Sequence, residues 1–295
     1  MSLESYLEQQ RRQVETRLQQ LVPEESETPA VIHRAMRYSL FAGGKRIRPI
    51  FCIAAAKLIT DEPGEDLETI SCSLELVHTY SLIHDDLPAL DNDDYRRGKL
   101  TCHKVFGEAN AILAGDALLT LSFEVLATLA HTPGDVKSAL VAELARAAGT
   151  LQGMIAGQVL DLEATNNSVT PALVEYIHRS KTAALFRAAV CLGAIGERAS
   201  PEQLAAISSF GENAGLAFQV ADDILDVESS SESLGKTAGK DILQKKATYP
   251  AVYGLQRSRQ IAAEFVEIAT AALEPFGGRN ETLRQLAHFL VSRTA

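Results

Sequence analysis

The 295-residue chain is 46% hydrophobic and carries 28 Lys and Arg against 38 Asp and Glu, a formal net charge of −10. That apolar content suffices for a large buried core, and the acidic balance disfavours nucleic-acid binding, which needs a basic face. Four scattered cysteines, Cys52, Cys72, Cys102 and Cys191, lack CxxC or Cys/His ligand spacing, which predicts reduced, buried thiols without a disulfide framework.

The chain begins with MSLESYLEQQRRQVETRL, charged and helical in period and without the apolar core of a signal peptide, so a cytoplasmic location is expected. The spacing of apolar residues among Leu, Ala, Glu, Gln and Arg predicts helices over 2–20, 29–41 and 47–60. Between the second and third lies FAGGKRIRPI, residues 41–50. Gly43 and Gly44 can end one helix, and Pro49 suits the first turn of the next. Lys45, Arg46 and Arg48 then sit at a helix N-terminus, where anions are favoured and positive charge is not. Three exposed basic residues are the plain reading; a phosphate pocket is the sharper one.

The next helix, over 65–87, runs into SLIHDDLPALDNDDYRRG, which holds five aspartates within Asp85–Asp94 and then Arg96 and Arg97. Pro88 disfavours helical geometry in the residue before it, so Asp85 and Asp86 occupy the last turn and Asp91 the loop. Carboxylates at a helix C-terminus meet its negative dipole end, a strain that a magnesium ion with oxygen ligands would relieve. Further helices are predicted over 108–130, 135–147, 149–165, 171–195 and 201–227, with breaks at DEPG, HTPG, SVTP and RASP. AILAGDALLTLSFEVLATLA, residues 111–130, is apolar nearly all round and belongs inside a bundle. No run approaches the roughly 18 apolar residues of a membrane span; ALFRAAVCLGAIG is short and interrupted by Arg187.

Near the end of the 201–227 helix, Asp222 and Asp226 stand four apart on one face with Asp223 beside them. Like charges so placed cost a few tenths of a kcal/mol, so a second acidic cluster after a buried-looking helix calls for a counter-charge. Helices over 241–256, 258–274 and 280–293 complete the chain, with a break at PFGG. No alternating run calls for a sheet, and no repeat or linker divides the sequence. The expectation is one large all-α domain spanning 1–295, whose central helices enclose a cavity. Two carboxylate sets, a basic pocket and apolar walls suit a phosphorylated substrate with a greasy body.

These residues resemble the trans-isoprenyl diphosphate synthase (polyprenyl synthetase) family over essentially the whole chain, most closely the bacterial farnesyl type. Asp85-Asp86 with Asp91 is similar to its first aspartate-rich motif, and Asp222-Asp223-Ile224-Leu225-Asp226 to its second. GGKRIRP, GQVLDLE (157–163), HRSKTAALF (178–186) and LGKTAGKD (234–241) follow in the family's order. The resemblance implies the all-α isoprenoid synthase fold, commonly a homodimer. It also implies a head-to-tail, 1′–4 condensation of an allylic diphosphate with isopentenyl diphosphate, assisted by magnesium, with three ions accompanying bound diphosphate. It places Asp85, Asp91 and Asp222 foremost in binding magnesium, with Asp86, Asp223 and Asp226 in support. Arg96, Lys181 and Lys236 would hold the allylic diphosphate, and Lys45, Arg48, His78 and Arg97 the isopentenyl diphosphate. Thr182 and Gln219 would stand near the allylic chain and the forming carbocation. Lys246, or its neighbour Lys245, would close over the diphosphate.

Tyr80 lies five residues before Asp85, about 7.5 Å further along the helix, followed by small Ser81. With the two extra residues Ala89 and Leu90 in the first motif, this resembles the farnesyl type and implies a fifteen-carbon product, geranyl or geranylgeranyl diphosphate being the alternatives. A terpene cyclase would not need GGKRIRP for a second diphosphate, and non-catalytic partner subunits typically lose one aspartate motif. His84-Asp85 is also the signature of a metal-dependent phosphohydrolase, but nothing between His33 and His84 supplies the further histidine ligands.

Overall fold

The computed structural model describes residues 2–165, 169–228 and 246–292. Each helix begins where local chemistry allows. Helix α1 (Leu3–Leu21) starts at Ser2, whose hydroxyl accepts the Ser5 amide, and it buries Tyr6, Gln10, Val14 and Leu18 at four-residue spacing. Helices α2 (Ala30–Leu40) and α3 (Ile47–Ile59) flank the glycine-rich turn, and α4 (Leu67–Asp85) follows the DEPG break. Nine of the 13 residues of α3 and 13 of the 19 of α4 are buried.

After α4 the chain forms a small hairpin, β1 (Tyr95–Arg96) against β2 (Lys99–Leu100). No sheet is expected here from the sequence; with two residues per strand, alternation has no length in which to show. The turn itself is legible in retrospect, because Arg97 and Gly98 both take positive φ (53° and 74°), as a type I′ connection requires. A short helix absent from the sequence reading, α5 (Cys102–Phe106), leads into α6 (Glu108–Ala127).

Helix α6 departs from the expectation of full burial. It packs on α4 and α2, yet Ile112 and Leu113 are 44% and 55% exposed on its outer face. Its average apolarity, unlike any unbroken run, also meets the length-and-composition requirement for a membrane span, with 39% of that stretch buried. The covered face accounts for much of this apolarity.

Helices α7 (Gly134–Ala148) and α8 (Met154–Ala164) follow; residues 149–153, expected to be helical, form a turn instead. The helix expected over 171–195 is two, α9 (Pro171–His178) and α10 (Ala184–Gly196), joined by a π-helical turn, Arg179–Ala183. Thr170 caps α9, accepting the Leu173 amide at 3.3 Å, with Pro171 in its first turn. Helix α11 (Pro201–Glu228) is the longest described helix. After the residues outside the description come α12 (Tyr249–Tyr253), capped by Thr248, then α13 (Leu255–Ala272) and α14 (Glu281–Ser292), the last two linked by a 3₁₀ turn. The helix expected from 241 therefore begins at Tyr249 among the described residues.

One apolar cluster runs from Tyr6 and Val14 through α3, α4, α10 and α11 to Leu290. A smaller one joins Ala164, Val174, Ile177, Val220, Ile224 and Tyr249 behind the second aspartate cluster. The four cysteines are free and buried, as expected. Burial pushes the Cys191 thiol up to about 12, with Glu143 adding to the shift.

Candidate active site

The last turn of α4 and the C-terminal third of α11 form opposite sides of a cleft; both helices pack on α10, and α11 packs also on the π turn. Pro88 ends α4, and the loop beyond it folds back on the helix end. The Asp91 amide donates to the Asp85 carbonyl at 2.8 Å and the Asp93 amide to the Asp86 carbonyl at 3.2 Å. These bonds satisfy carbonyls that a helix C-terminus leaves open, and they swing Asp91 beside Asp85.

Two connected spaces meet at this point. A mouth of about 250 Å³ is lined by Asp85 and Asp91 on one side and Asp222, Asp223 and Asp226 on the other, with Asp161, Lys181 and Lys246 between. A deeper cavity of about 490 Å³ shares Asp85, Arg96, Lys181, Gln219 and Asp222 with it. The deeper walls carry Arg48, His78 and Arg97 at one end and Tyr80, Met154, Ile155, Val159, Leu162 and Phe218 elsewhere. Ile155, Val159 and Leu162 are 40–48% exposed, a level explained by their facing this space.

The acidic residues play distinct parts. Burial, with Asp91 and Asp86 close by, pushes the Asp85 carboxyl up to about 6 against the pull of Lys181 and Arg96. Asp222 is half-buried and faces both spaces. Asp86 differs from the expectation. It is 3% exposed, lines neither space, and accepts Arg96 Nε at 2.8 Å and Nη2 at 2.6 Å. Its carboxylate holds Arg96 against the cavity wall, because side chains one apart on a helix point in different directions. Asp223 lies in the mouth but ties three elements together. It accepts Gln219 Nε2 at 2.9 Å and the Tyr249 amide at 3.0 Å, with His178 Nε2 3.6 Å away. Burial pushes that imidazole down to about 4, and so keeps it neutral.

The basic groups are braced in the same way. Lys181 sits in the π turn, its Nζ 2.6 Å from Asp161 Oδ2. Burial opposes its charge, but Asp161 and Asp85 outweigh that and hold its pKa above the ordinary lysine value. Asp161 had no assigned role in the sequence reading. Its signal is a carboxylate on the buried stripe of α8, in register with Met154, Gly157 and Ala164. Lys246 Nζ lies 3.1 Å from Asp91 Oδ1 across the mouth. Thr182 donates to Gln219 Oε1 at 2.6 Å, which fixes the amide so that its nitrogen meets Asp223.

Arg48 lies over the Phe186 ring at 4.9 Å, and Arg97 donates to the Gly43 carbonyl. His78 is driven well below its usual pKa by burial and by Arg48, Arg97, Arg96 and Arg46, and is neutral. Two members of the GGKRIRP segment behave otherwise. Arg46 is buried, bonded to Glu75 at 2.6 Å and to the Leu40 carbonyl at 2.7 Å, so it anchors the segment. Lys45 is exposed and lines a separate groove with Glu4, Glu8 and Arg11 of α1. Tyr80 and Ser81 both line the deeper cavity. Lys236 and Lys245 lie outside the described residues.

Among the described residues no three His, Cys, Asp or Glu side chains already converge on one point. The carboxylates instead face one another across the mouth. Their all-oxygen chemistry suits a hard divalent cation that takes one or two carboxylates and completes its shell with phosphate oxygens. Desolvated Asp85 is the kind of group such a cation would relieve.

The polyprenyl synthetase family model matches residues 29–274. A chloroplastic geranylgeranyl pyrophosphate synthase of Capsicum annuum is 49% identical over 269 residues, 90% of this chain and 72% of that protein. A farnesyl diphosphate synthase of Geobacillus stearothermophilus is 45% identical over 271 residues, 91% of this chain and 90% of its own. The crystal structure of a geranyltransferase from Helicobacter pylori, complexed with magnesium and isoprenyl diphosphate, superposes with a TM-score of 0.85. It is 30% identical, covering 99% of this chain and 97% of the other.

Proposed function

The chain belongs to the polyprenyl synthetase family and has the prenyltransferase activity of that class; from that premise we propose that it makes farnesyl diphosphate. It joins isopentenyl diphosphate head to tail, in 1′–4 fashion, to dimethylallyl and then geranyl diphosphate, releasing diphosphate at each step. The observation that carries this reading is one continuous cavity with two anion subsites and a bulky ring in its wall. The acidic mouth with Lys181, Lys246 and Arg96 takes the allylic diphosphate; Arg48, Arg97 and His78 take the second diphosphate.

Magnesium bound by Asp85, Asp91 and Asp222 would neutralise charge on the leaving diphosphate. Lys181 and Arg96, kept charged and oriented by Asp161 and Asp86, stabilise the same charge as the allylic carbon–oxygen bond ionises. The Gln219 Oε1 and Thr182 Oγ1 oxygens present partial negative charge to the allylic cation. Apolar walls from α8, Leu185 and Phe218 exclude water, so the double bond of isopentenyl diphosphate captures that cation. Loss of a proton to the departing diphosphate completes the step, and no side-chain nucleophile is needed. Lys45, on its separate groove, reaches the second diphosphate only by reorienting.

Identity to the Capsicum and Geobacillus proteins is too similar to separate a twenty- from a fifteen-carbon product. Tyr80, 6% exposed and part of the cavity wall, favours fifteen. The product should be farnesyl diphosphate when purified protein is given magnesium, dimethylallyl diphosphate and radiolabelled isopentenyl diphosphate. Tyr80→Ala should lengthen it, and an unchanged chromatogram would remove Tyr80 from its role. A lack of label incorporation points to a cyclase, and activity only with an added subunit to a non-catalytic partner. The exposed Ile112 and Leu113 of α6 suit a homodimer, checked by sedimentation equilibrium.

A further inference from the structure

We propose that His84 and Gly115 together set the position of the Tyr80 ring, and so the length of the prenyl chain that the cavity accepts. This rests on the reading of Tyr80 as the wall that limits the product. Tyr80 and His84 are four apart on α4 and share a face. Their rings meet edge to face, centroids 5.7 Å apart at 84°. On its other side the imidazole is pinned to α6. His84 Nε2 lies 3.0 Å from the Ile112 carbonyl oxygen. A carbonyl only accepts, so Nε2 carries the proton in this contact. The Asp116 carboxylate is 3.9 Å from the same nitrogen.

The seat for this ring exists because position 115 lacks a side chain. A Cβ there would fall 2.1 Å from His84 Nε2 and 2.5 Å from Cδ2, far inside contact distance. The imidazole therefore occupies a notch that α6 leaves at one glycine, and Tyr80, Ser81 and His84 all line the 490 Å³ cavity. The Tyr80 ring is held by neighbours on both sides of its wall: its own helix, and α6 acting through His84. His84 is thus a positioning residue for chain length, while Asp85, the next residue, serves the diphosphate end.

The experiment compares product ratios from dimethylallyl and isopentenyl diphosphates with magnesium, together with thermal melting, for four variants and the natural chain. His84→Ala removes the edge partner and frees the Tyr80 ring, so longer product should rise relative to the natural one by roughly three- to tenfold, the scale of a lost aromatic pair. Gly115→Ala expels the imidazole from its notch toward the open cavity, so shorter product should rise instead. The double variant has no ring to expel and should match His84→Ala in product length. It decides the matter with His84→Ala if Gly115→Ala alone does not fold. Opposite shifts from the two single variants, abolished as a difference in the double, are beyond a general loss of stability. An unchanged ratio in folded His84→Ala overturns the proposal. Tyr80→Ala, run alongside, separates the two ideas. If it lengthens the product while His84→Ala does not, the wall stands and the positioning role fails. If it changes nothing, the wall reading fails and the proposal falls with it.

Discussion

Asp222 and Glu75 are both carboxylates on helices of the bundle, yet their burial and partners give them opposite duties. Glu75 is 2% exposed and bonded to Arg46, which lies within 3.6 Å of Glu15 and is itself 2% exposed. Removing one member of a buried pair leaves an uncompensated charge, a cost of about 3–5 kcal/mol. Glu75→Ala should therefore lower the melting temperature by about 5–8 °C, given the unfolding entropy of a chain this long. Asp222 is half-buried in the cavity wall, so Asp222→Asn should leave melting nearly unchanged. Its kcat should fall by about 10²–10³, the usual loss for one group aimed at developing charge. Melting curves and steady-state rates on the two variants check the contrast; equal melting losses would overturn it. Nothing in GGKRIRP separates Arg46 from Lys45 and Arg48, because sequence records charge and not direction.

The π turn between α9 and α10 is where an element's irregularity serves the site. Widening one turn places Lys181 toward Asp161 while the helix continues on either side. Composition does not betray such a turn, since helix formers fill both flanks, and one helix is accordingly expected through 171–195. Helix α8 crosses the turn at Gly157, where a Cβ would lie 2.2 Å from the Lys181 backbone nitrogen. Overpacking of this kind costs about 1–3 kcal/mol and moves backbone. Gly157→Ala should raise KM for the allylic diphosphate more than KM for isopentenyl diphosphate, because Lys181 lies on the allylic side. Equal changes in both constants would mean that the crossing is merely structural. The hairpin at 95–100 escaped for a different reason: its strands are too short to show a period.

Across the whole molecule, the α4 and α11 sides face each other at the mouth through opposed carboxylates, with Lys181 and Lys246 also lining it. No ready-made set of three ligands stands among the described residues, so a divalent cation and diphosphate should bind cooperatively. Magnesium alone should raise the melting temperature less than magnesium with inorganic diphosphate, beyond the sum of the separate shifts. Additive shifts in a thermal scan would argue instead for a preformed metal site. The predominance of helix, the breaks at DEPG, HTPG and RASP and the two aspartate clusters follow from local rules of periodicity, turn residues and spacing, and they appear in the structure at those places; the short helix α5 and the division of 171–195 do not.

Short-range patterns encode the all-α bundle, the two acidic motifs and the family to which the chain belongs, so these are legible in the sequence alone. Tertiary structure alone decided which charge meets which. It turned Asp86 to Arg96, gave Lys181 to Asp161, buried Arg46 on Glu75, left Lys45 on another groove and seated His84 in the notch at Gly115. Those pairings join residues 10 to 31 positions apart, and their geometry depends on how whole helices cross. Local spacing carries no record of that angle.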